Sequence, residues 1–389
     1  MGRRRRHRRV DRRPRGGVGR QAPFTPGSPC RARRARPAAQ LMNASRRLLI
    51  AVAPVVLTLM LFASELPLSQ RVRAAVVPFG VASVATMWSD SPQGYLDEAH
   101  AIRIAGAGWI RIMVQWHKIE PSIGNYDWST GDNAVQAARE AGLSILLCIS
   151  GPAPVWAQAP GADPNAVGSP PADPAAFGEI TRLIADRYKS AVGAWEIWNE
   201  PNAPEFFTPV DVGRYAALLR QAYVNIHAAA PQSIVMSGGL SSTISGIDSV
   251  DFVRQLYAAG AGATLDAVAL HPYTYPYSIT EDPLHRGDAV AQVHQLMAAH
   301  GDDRKKIWVT EYGQATGTSQ FAVSGERQAE ILVDFLQWAS PLDYLGPPFL
   351  FTSRDLSPDT ANADFNFGLY AVDYAPKPAV DAIKMLVQS

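Results

Sequence analysis

The stretch that decides the fold is AWEIWNEPN, residues 194–202. It opens with an apolar run that is typical of a buried strand, and its polar end marks the point where the strand opens into a loop. The same pattern recurs where IWVT, residues 307–310, is followed by EYG. Each segment therefore places one glutamate, Glu200 or Glu311, just beyond the C-terminal end of a predicted strand.

Eight apolar runs of this kind are spread along the chain. The predicted strands cover residues 79–84, 109–115, 143–150, 194–198, 234–237, 267–271, 307–310 and 349–352. Segments with apolar residues at three- and four-residue spacing separate the strands and predict helices. These predicted helices cover residues 136–141, 182–188, 215–226, 252–257, 291–297, 329–338 and 378–387.

The alternation of strands and helices favours an α/β fold of the (β/α)8 type, a TIM barrel. Functional groups in such a barrel lie at the C-terminal ends of the strands, which is where both glutamates are predicted. A doubly wound open sheet is the alternative. It would more naturally show fewer strands and a glycine-rich first turn, and the chain contains no GxGxxG motif.

Charge divides the chain into two unlike parts. Residues 1–73 hold 18 of the 36 Lys and Arg residues and two acidic residues, and the remainder holds 18 basic and 33 acidic residues, a net charge of −15. The acidic part argues against a nucleic-acid surface there. Residues 1–41 contain fourteen arginines among Gly and Pro, which predicts a disordered tail. That tail is either a basic arm for nucleic acid or anionic lipid, or an artefact of a start codon that belongs at Met42.

Residues 42–74 predict a hydrophobic targeting segment. Two arginines precede Leu48–Ser64, a stretch of 17 residues without a charge. Its length lies at the border between a signal-peptide core and a short membrane span. We therefore expect residues 75–389 to be exported, either secreted after cleavage or anchored at the outer face of the cytoplasmic membrane. A buried core helix is the plainer alternative.

The cysteines and histidines do not predict a metal site or a disulfide. Cys30 lies in the tail and Cys148 in a predicted strand, so no disulfide is available within residues 75–389. His271 is not accompanied by an HExxH motif or a Cys and His cluster. We therefore predict neither a metal nor an organic cofactor.

Two carboxyl groups at the mouth of a barrel are the parts needed to cleave a glycosidic bond. One donates a proton to the leaving oxygen, and the other attacks or stabilises the sugar cation. A carboxyl separation of about 5–5.5 Å fits retention of configuration, and about 6.5–9.5 Å fits inversion. The alternative is that each glutamate is a surface or ion-paired residue.

Three motifs in order carry a resemblance to a known group of enzymes. WNEPN at residues 198–202, HPY at residues 271–273 and TEYG at residues 310–313 resemble the retaining glycoside hydrolases of clan A. The sequence around these motifs is most similar to family 39 and related bacterial polysaccharide hydrolases, with family 5 next. The resemblance runs from about Phe79 to the segment 376–379, and it implies a TIM barrel that acts on a carbohydrate.

The resemblance implies a catalytic or supporting role for four polar residues. Glu200 is the implied general acid/base, and Glu311 is the implied nucleophile, which must stay ionised. Asn199 is implied to bond the sugar hydroxyl next to the reacting carbon. Arg111 matches the clan's arginine beside the nucleophile, where a guanidinium favours the ionised carboxylate. An ion pair between Arg111 and Glu196 is the alternative.

The resemblance also implies residues that bind the substrate. His271 and Tyr273 are implied to line the sugar subsite and to orient the nucleophile. Aromatic residues after strands are candidates to line a groove, because the flat face of a sugar packs on an apolar ring; they are Trp116, Trp156, Tyr275 and Tyr277. Each of them could equally be a core or loop residue. The clan's usual tryptophan at the eighth strand is absent from residues 347–355.

The sequence therefore predicts a retaining glycoside hydrolase and leaves other functions open. One alternative is a cell-envelope barrel that binds glycans without turnover. Another is a hydrolase held at the membrane through residues 48–64 that acts during polysaccharide synthesis or export. The sugar, the linkage, endo or exo cleavage and the oligomeric state are not predicted.

Overall fold

Eight parallel strands with helices packed around them make up the described part of the molecule. The structure is a computed structural model that describes residues 78–88, 91–159, 162, 166, 168–242 and 245–388. The predicted tail, residues 1–41, and the predicted targeting segment, residues 42–74, lie outside these ranges. Within the ranges, no helix combines the length and the apolar character that a bilayer crossing requires.

The strands have the positions that the sequence predicts, with ends that differ by a few residues. They are β1 Gly80–Ala82, β2 Trp109–Gln115, β3 Ser144–Ser150, β4 Val192–Ile197, β5 Ile234–Ser237, β6 Ala267–His271, β7 Lys306–Val309 and β8 Phe349–Leu350. A two-residue strand, Leu240–Ser241, continues β5 after Gly238 and Gly239 and pairs with β6. This additional strand was not predicted.

A helix follows each strand. The main helices are α1 Pro92–Ile104, α2 Ser129–Glu140, α3 Pro174–Tyr188, α4 Val212–Ala229, α5 Ser249–Ala258, α6 Asp288–Ala299, α7 Gly325–Ala339 and α8 Pro378–Gln388. Helix α1 was not predicted, because its apolar and polar faces are only weakly separated. Its start is nonetheless marked by Ser91, whose side chain accepts a hydrogen bond from the Gly94 amide, and by Pro92 in the first turn.

The strands are hydrogen-bonded in parallel along the order β6-β5-β4-β3-β2-β1-β8, and β7 pairs with β6. The circle closes between β7 and β8 just beyond the ends of the regular strands. There the Tyr312 amide donates to the Phe349 carbonyl at 3.0 Å, and the Phe351 amide donates to the Tyr312 carbonyl at 2.8 Å. The predicted (β/α)8 barrel is therefore confirmed.

The floor of the barrel is apolar. Side chains from six strands meet there in one buried cluster: Leu146, Ala194, Met236, Ala267, Ala269, Trp308 and Phe349. Trp308 stacks on Phe349 at 6.2 Å between ring centroids, and Trp109 meets Trp308 edge-on at 5.5 Å. A larger cluster fills the space between the strands and the helices. The closed floor leaves the other end of the barrel, at the C-terminal ends of the strands, for polar groups.

Truncation of the floor should destabilise the barrel. Phe349→Ala removes a fully buried ring and should lower the free energy of unfolding by about 3–5 kcal/mol, because the transfer energy is lost and a cavity remains. Urea denaturation followed by circular dichroism measures this change. The exposed residue Val372 provides the control, Val372→Ala. Equal midpoints for the two variants would contradict the packing described here.

Candidate active site

Strand β2 carries a column of inward side chains from the floor to the mouth of the barrel. Alternate residues of a strand point to the same face, so Trp109, Arg111, Met113 and Gln115 share the interior. Trp109 packs on the floor, and the other three line a pocket at the mouth. The sequence WIRIMVQ therefore places one charged group, Arg111, between the apolar floor and the pocket.

Arg111 joins three side chains from two other strands. Its Nε lies 2.6 Å from Glu196 Oε2, and its Nη1 lies 2.6 Å from Glu311 Oε1. Its Nη2 donates to Glu196 Oε1 at 3.2 Å and to Asn199 Oδ1 at 2.9 Å. The structure thus combines the two readings that the sequence left open, because Arg111 pairs with Glu196 and also contacts Glu311.

The end of β4 bends sharply to bring Asn199 and Glu200 into the mouth. Trp198 and Glu200 both have left-handed backbone angles, with φ of 73° and 44°. The Trp198 ring is buried against Phe177 and Phe207, and its Nε1 donates to the Phe206 carbonyl at 2.7 Å. This packing holds a conformation that a residue other than glycine rarely adopts.

Gly239 joins the bend to the interior of the barrel. Its amide donates to Glu196 Oε1 at 2.8 Å, and its carbonyl accepts from the Glu200 amide at 3.0 Å. A Cβ at this position would lie 2.0 Å from His271 Nε2 and 2.7 Å from Thr310 Oγ1. Only glycine lets the backbone approach this closely. Gly239 was not predicted as a site residue, although the pair Gly238-Gly239 after a predicted strand was the available signal.

His271 lies at the end of β6 between two carboxylates and a hydroxyl. Its Nδ1 is 2.9 Å from Glu200 Oε1 and 3.8 Å from Glu311 Oε2, and its Nε2 is 2.9 Å from Thr310 Oγ1. The Thr310 hydroxyl donates to Glu196 Oε1 at 3.1 Å, so Thr310 Oγ1 must accept a hydrogen bond from the ring. We therefore assign the proton to Nε2 of His271, and Nδ1 is left to interact with Glu200.

Glu311 follows β7 and faces a positive environment. Burial by itself raises the pKa of Glu311, but the charges of His271 and Arg111 and the hydrogen bonds from Tyr273 and Arg111 hold it below its usual range. The Tyr273 hydroxyl donates to Glu311 Oε2 at 2.9 Å. Conversely, burial disfavours the charged ring of His271, but Glu311 and Glu200 raise the pKa of His271. Glu311 is therefore an ionised carboxylate at the mouth.

Glu200 and Glu311 lie close together. One oxygen of each carboxyl group and one ring nitrogen of His271 all lie within 4.8 Å of one another. The two carboxyl groups therefore lie at one site, within reach of the same bound molecule. The geometry allows one carboxyl group to reach a bond to the sugar and the other to attack its carbon.

The same three side chains are the group, among the described residues, whose donor atoms are close enough to hold a metal ion. Their donor atoms already take part in a protein hydrogen-bond network: Glu200 with His271, His271 with Thr310, and Glu311 with Arg111 and Tyr273. A metal would have to replace several of these bonds. The arrangement favours acid–base and nucleophilic chemistry.

A pocket of about 220 Å³ opens above the two glutamates. Its apolar side is formed by Ala82, Met113, Phe206 and Phe351, and its polar side by Ser83, Gln115, Ser150 and Asn199. Phe351 stands in the region where the clan's tryptophan is absent from the sequence. Phe206, Phe351 and Gln115 were not predicted; for Gln115, its place at the end of an inward-facing strand was the available signal.

The structure brings six of the eight predicted site residues together and leaves two outside. Trp116 is fully buried, and its Nε1 donates to Glu120 at 3.0 Å. Its ring packs edge-on against Trp156, 5.7 Å away, whose Nε1 donates to the Glu120 carbonyl. Trp116 does not line the pocket, because the first turn after β2 directs its ring into the core, which is the alternative that the sequence left open. Trp156 is partly exposed but does not line the pocket.

Comparisons with known proteins agree with this fold. A family model described as "Glycosyl hydrolase catalytic core" matches residues 184–368, and a model described as "Beta-galactosidase" matches residues 88–167. A search of curated proteins by sequence gives no match. The first model spans both glutamates and all motifs on which the predicted resemblance depends.

Solved structures show the same barrel. A family 39 glycoside hydrolase from Bacteroides cellulosilyticus WH2 is 24% identical with a TM-score of 0.61, over 81% of this chain and 64% of that one. A GH39 enzyme from Xanthomonas axonopodis pv. citri is 20% identical with a TM-score of 0.62, over 81% and 66%. A GH5_18 enzyme from Bifidobacterium longum subsp. longum ATCC 55813, in complex with Manβ1-4GlcNAc, is 16% identical with a TM-score of 0.61, over 80% and 78%.

These findings define the class of fold. The chain has a (β/α)8 fold like that of the family 39 and family 5 glycoside hydrolases, and the predicted resemblance to them is confirmed. The chain spans just under two thirds of the length of the two family 39 proteins.

Removal of the Arg111 guanidinium should leave two buried carboxylates, Glu196 and Glu311, without a cation. We expect Arg111→Met to lower the free energy of unfolding by about 3–5 kcal/mol, as for other buried ion pairs that lose one partner. Arg182 also pairs with two carboxylates, Glu179 and Asp186, but on an exposed helix face, so Arg182→Met should barely move the urea midpoint. Similar losses of unfolding free energy in Arg111→Met and Arg182→Met would contradict a special role of the Arg111 ion pairs.

Proposed function

We propose that this protein is a retaining glycoside hydrolase that cleaves O-glycosidic bonds of an oligo- or polysaccharide. The observation that supports this most directly is the pair of close carboxyl groups in unlike environments. Glu311 faces Arg111, His271 and Tyr273, whereas Glu200 faces His271 Nδ1. Glu311 is thereby kept as a carboxylate, and Glu200 has a partner with which it can share a proton. Two-step glycoside hydrolysis requires one carboxyl group of each kind, a nucleophile and a general acid/base.

In the first step, a Glu311 oxygen attacks the anomeric carbon of the bound sugar. The bond from that carbon to the leaving oxygen breaks, and the leaving oxygen takes the proton from Glu200. In the second step, a water molecule gives a proton to Glu200, and its oxygen attacks the same carbon. The bond to Glu311 breaks, and the sugar leaves with its original configuration.

His271 and Glu200 share one proton in this proposal. Nε2 of His271 donates to Thr310, so the shared proton lies in the 2.9 Å contact between Nδ1 and Glu200. In one form Nδ1 carries it, and a protonated ring faces a carboxylate. In the other form Glu200 carries it, and a carboxylic acid faces a neutral ring. Both forms hold the same number of protons and differ only in the atom that carries the shared one. Transfer along this bond delivers the proton to Glu200 when the leaving oxygen requires it.

The pocket fits a single sugar ring. The apolar face formed by Met113, Phe206 and Phe351 suits the C–H face of a pyranose, and Gln115 and Ser150 can bond its hydroxyls. Asn199 is held by Arg111 through its Oδ1, so its amide nitrogen is directed by a fixed partner and can donate to the hydroxyl next to the anomeric carbon. Such a bond strengthens in the transition state and contributes to rate.

A glycan digestion screen tests the proposal. Three forms of residues 75–389 are compared: the wild type, Glu200→Gln and Glu311→Gln. Each is incubated with oligosaccharides of xylan, glucan and mannan. Mannan is included because the similar GH5_18 structure contains a mannoside. Glu200→Gln should lose about 10²–10⁴-fold in rate, since general acid catalysis contributes this much, and should lose less on aryl glycosides with good leaving groups. Glu311→Gln should lose activity on both substrate types.

The anomeric configuration of the product gives a second test of the roles. With azide added to Glu311→Ala, we expect a glycosyl azide of inverted configuration, because azide replaces the carboxylate in a single displacement. With Glu200→Ala, we expect a glycosyl azide of retained configuration. Wild-type rates in either alanine variant would refute the assignment of that residue, and hydrolysis with inversion by the wild type would refute the two-step mechanism.

The pH profile tests the electrostatics of Glu311. The lowered pKa of Glu311 keeps it ionised as the pH falls, so the acidic limb of kcat/KM should lie below the range of an ordinary glutamate. Tyr273→Phe removes a hydrogen bond that favours the carboxylate, which raises the pKa of Glu311 and should move this limb to higher pH. Tyr275→Phe, whose ring packs on Tyr273 at 5.7 Å, is the matched control and should leave it in place. An unmoved limb in Tyr273→Phe would contradict the proposed role of its hydroxyl.

A further inference from the structure

An aromatic side chain stands exposed beside the mouth of the barrel. Phe321 lies on the loop between β7 and α7 and is 45% exposed. It is the outer end of a series of ring contacts: Phe351 meets Phe367 at 5.7 Å, Phe367 meets Tyr275 at 6.0 Å, and Tyr275 meets Phe321 at 5.9 Å. Because Phe351 lines the catalytic pocket, these rings connect the pocket with the surface.

Phe321 forms one side of a second, open cleft of about 700 Å³. The other side is a loop that follows β8 and supplies Asp359, Asn362 and Asp364, and Gln320 stands next to Phe321. The cleft therefore combines a flat apolar ring with carboxylate and amide groups at its edge. Sugars are bound by this combination, because the C–H face stacks on the ring and the hydroxyls bond to the polar groups.

The two walls of the cleft are fixed to the barrel and to each other. Gln314, fully buried three residues after Glu311, donates from its Nε2 to the Phe321 carbonyl at 2.8 Å. Across the cleft, the Thr318 amide donates to the Thr360 carbonyl at 2.8 Å. Within the second wall, the Asn366 side chain donates to the Asp359 carbonyl at 2.7 Å. The cleft is thus preformed, which reduces the entropy cost of binding.

Tyr275 stands between the cleft and the catalytic pocket. Its ring meets Phe321 of the cleft at 5.9 Å and meets Phe367, which contacts Phe351 of the pocket, at 6.0 Å. A glycan chain that leaves the pocket past Tyr275 would reach Phe321.

We propose that the cleft at Phe321 is a second sugar subsite, which binds a further residue of the same glycan chain whose bond is cleaved at Glu200 and Glu311. The proposal rests on the proposed function and names a substrate of at least oligosaccharide length. Phe321 supplies the stacking surface, and Gln320 and Asp364 supply the bonds to hydroxyls.

The length dependence of hydrolysis tests this subsite. Aryl monoglycosides and β-1,4-linked xylo-, gluco- and manno-oligosaccharides, each from the disaccharide to the hexasaccharide, serve as probes. In the wild type, kcat/KM should rise with chain length. Phe321→Ala should reduce kcat/KM for the longer oligosaccharides by roughly three- to tenfold, as expected for one lost ring contact, and should leave the aryl monoglycoside unchanged. Phe321→Trp should keep the length dependence.

A matched control uses another exposed apolar residue. Ile104 ends helix α1, on the side of the barrel opposite the mouth, and is 61% exposed. Ile104→Ala should behave like the wild type on every probe. Equal losses in Phe321→Ala on short and long substrates, or no rise of kcat/KM with length in the wild type, would overturn the subsite.

A binding measurement separates this subsite from the catalytic proposal. Calorimetry of the same oligosaccharides with Glu311→Gln and with Glu311→Gln/Phe321→Ala should show a roughly three- to tenfold weaker affinity in the double variant for the longer chains. Oligosaccharides that bind in this way without being cleaved by the wild type would refute the proposed function and support the subsite. Absence of binding by every probe would refute the subsite.

Discussion

The buried guanidinium of Arg111 is the group on which the rest of the site depends. Two buried carboxylates from different strands, Glu196 and Glu311, could not remain ionised in an apolar barrel without a cation between them. The two short contacts of 2.6 Å meet this requirement and fix three strands at one height. Because Nη2 also holds Asn199, the same cation orients a side chain in the pocket.

The bend after β4 follows from this arrangement. Glu196 is occupied by Arg111, Gly239 and Thr310, so a second carboxylate at the mouth must come from beyond the strand. The chain reaches that position by placing Trp198 and Glu200 in left-handed backbone conformations, each of which costs on the order of 1–3 kcal/mol. Burial of the Trp198 ring and the backbone bond from Glu200 to Gly239 offset the cost. The strained backbone at Trp198 and Glu200 therefore serves to position the Glu200 carboxyl group.

The sequence predicted the strands and the six polar residues of the site because both depend on local patterns. Apolar runs of strand length ended in polar motifs, and parallel strands bring such ends together. The sequence could not decide between a core and a pocket position for Trp116, because ring orientation after a strand depends on tertiary packing, here on Phe177 and Trp156. Gly239, Phe206 and Phe351 were missed because their positions at the site depend on tertiary packing, which no local pattern of the sequence shows. Helix α1 was missed because its apolar and polar faces are poorly separated.

The charge balance of the cluster suits the reaction that we propose. With Glu196 and Glu311 ionised, Arg111 offsets one of two negative charges. The Glu200–His271 pair with one shared proton is neutral overall, whether the proton lies on the ring or on the carboxyl group. The cluster therefore carries one net negative charge beneath the sugar, where positive charge develops at the anomeric carbon in the transition state. Fixed charges of this kind require no reorganisation during the reaction and are worth more in a water-poor pocket than in solvent. Because transfer of the shared proton to the leaving oxygen makes the cluster more negative as the sugar becomes more positive, the same hydrogen-bond network serves both events.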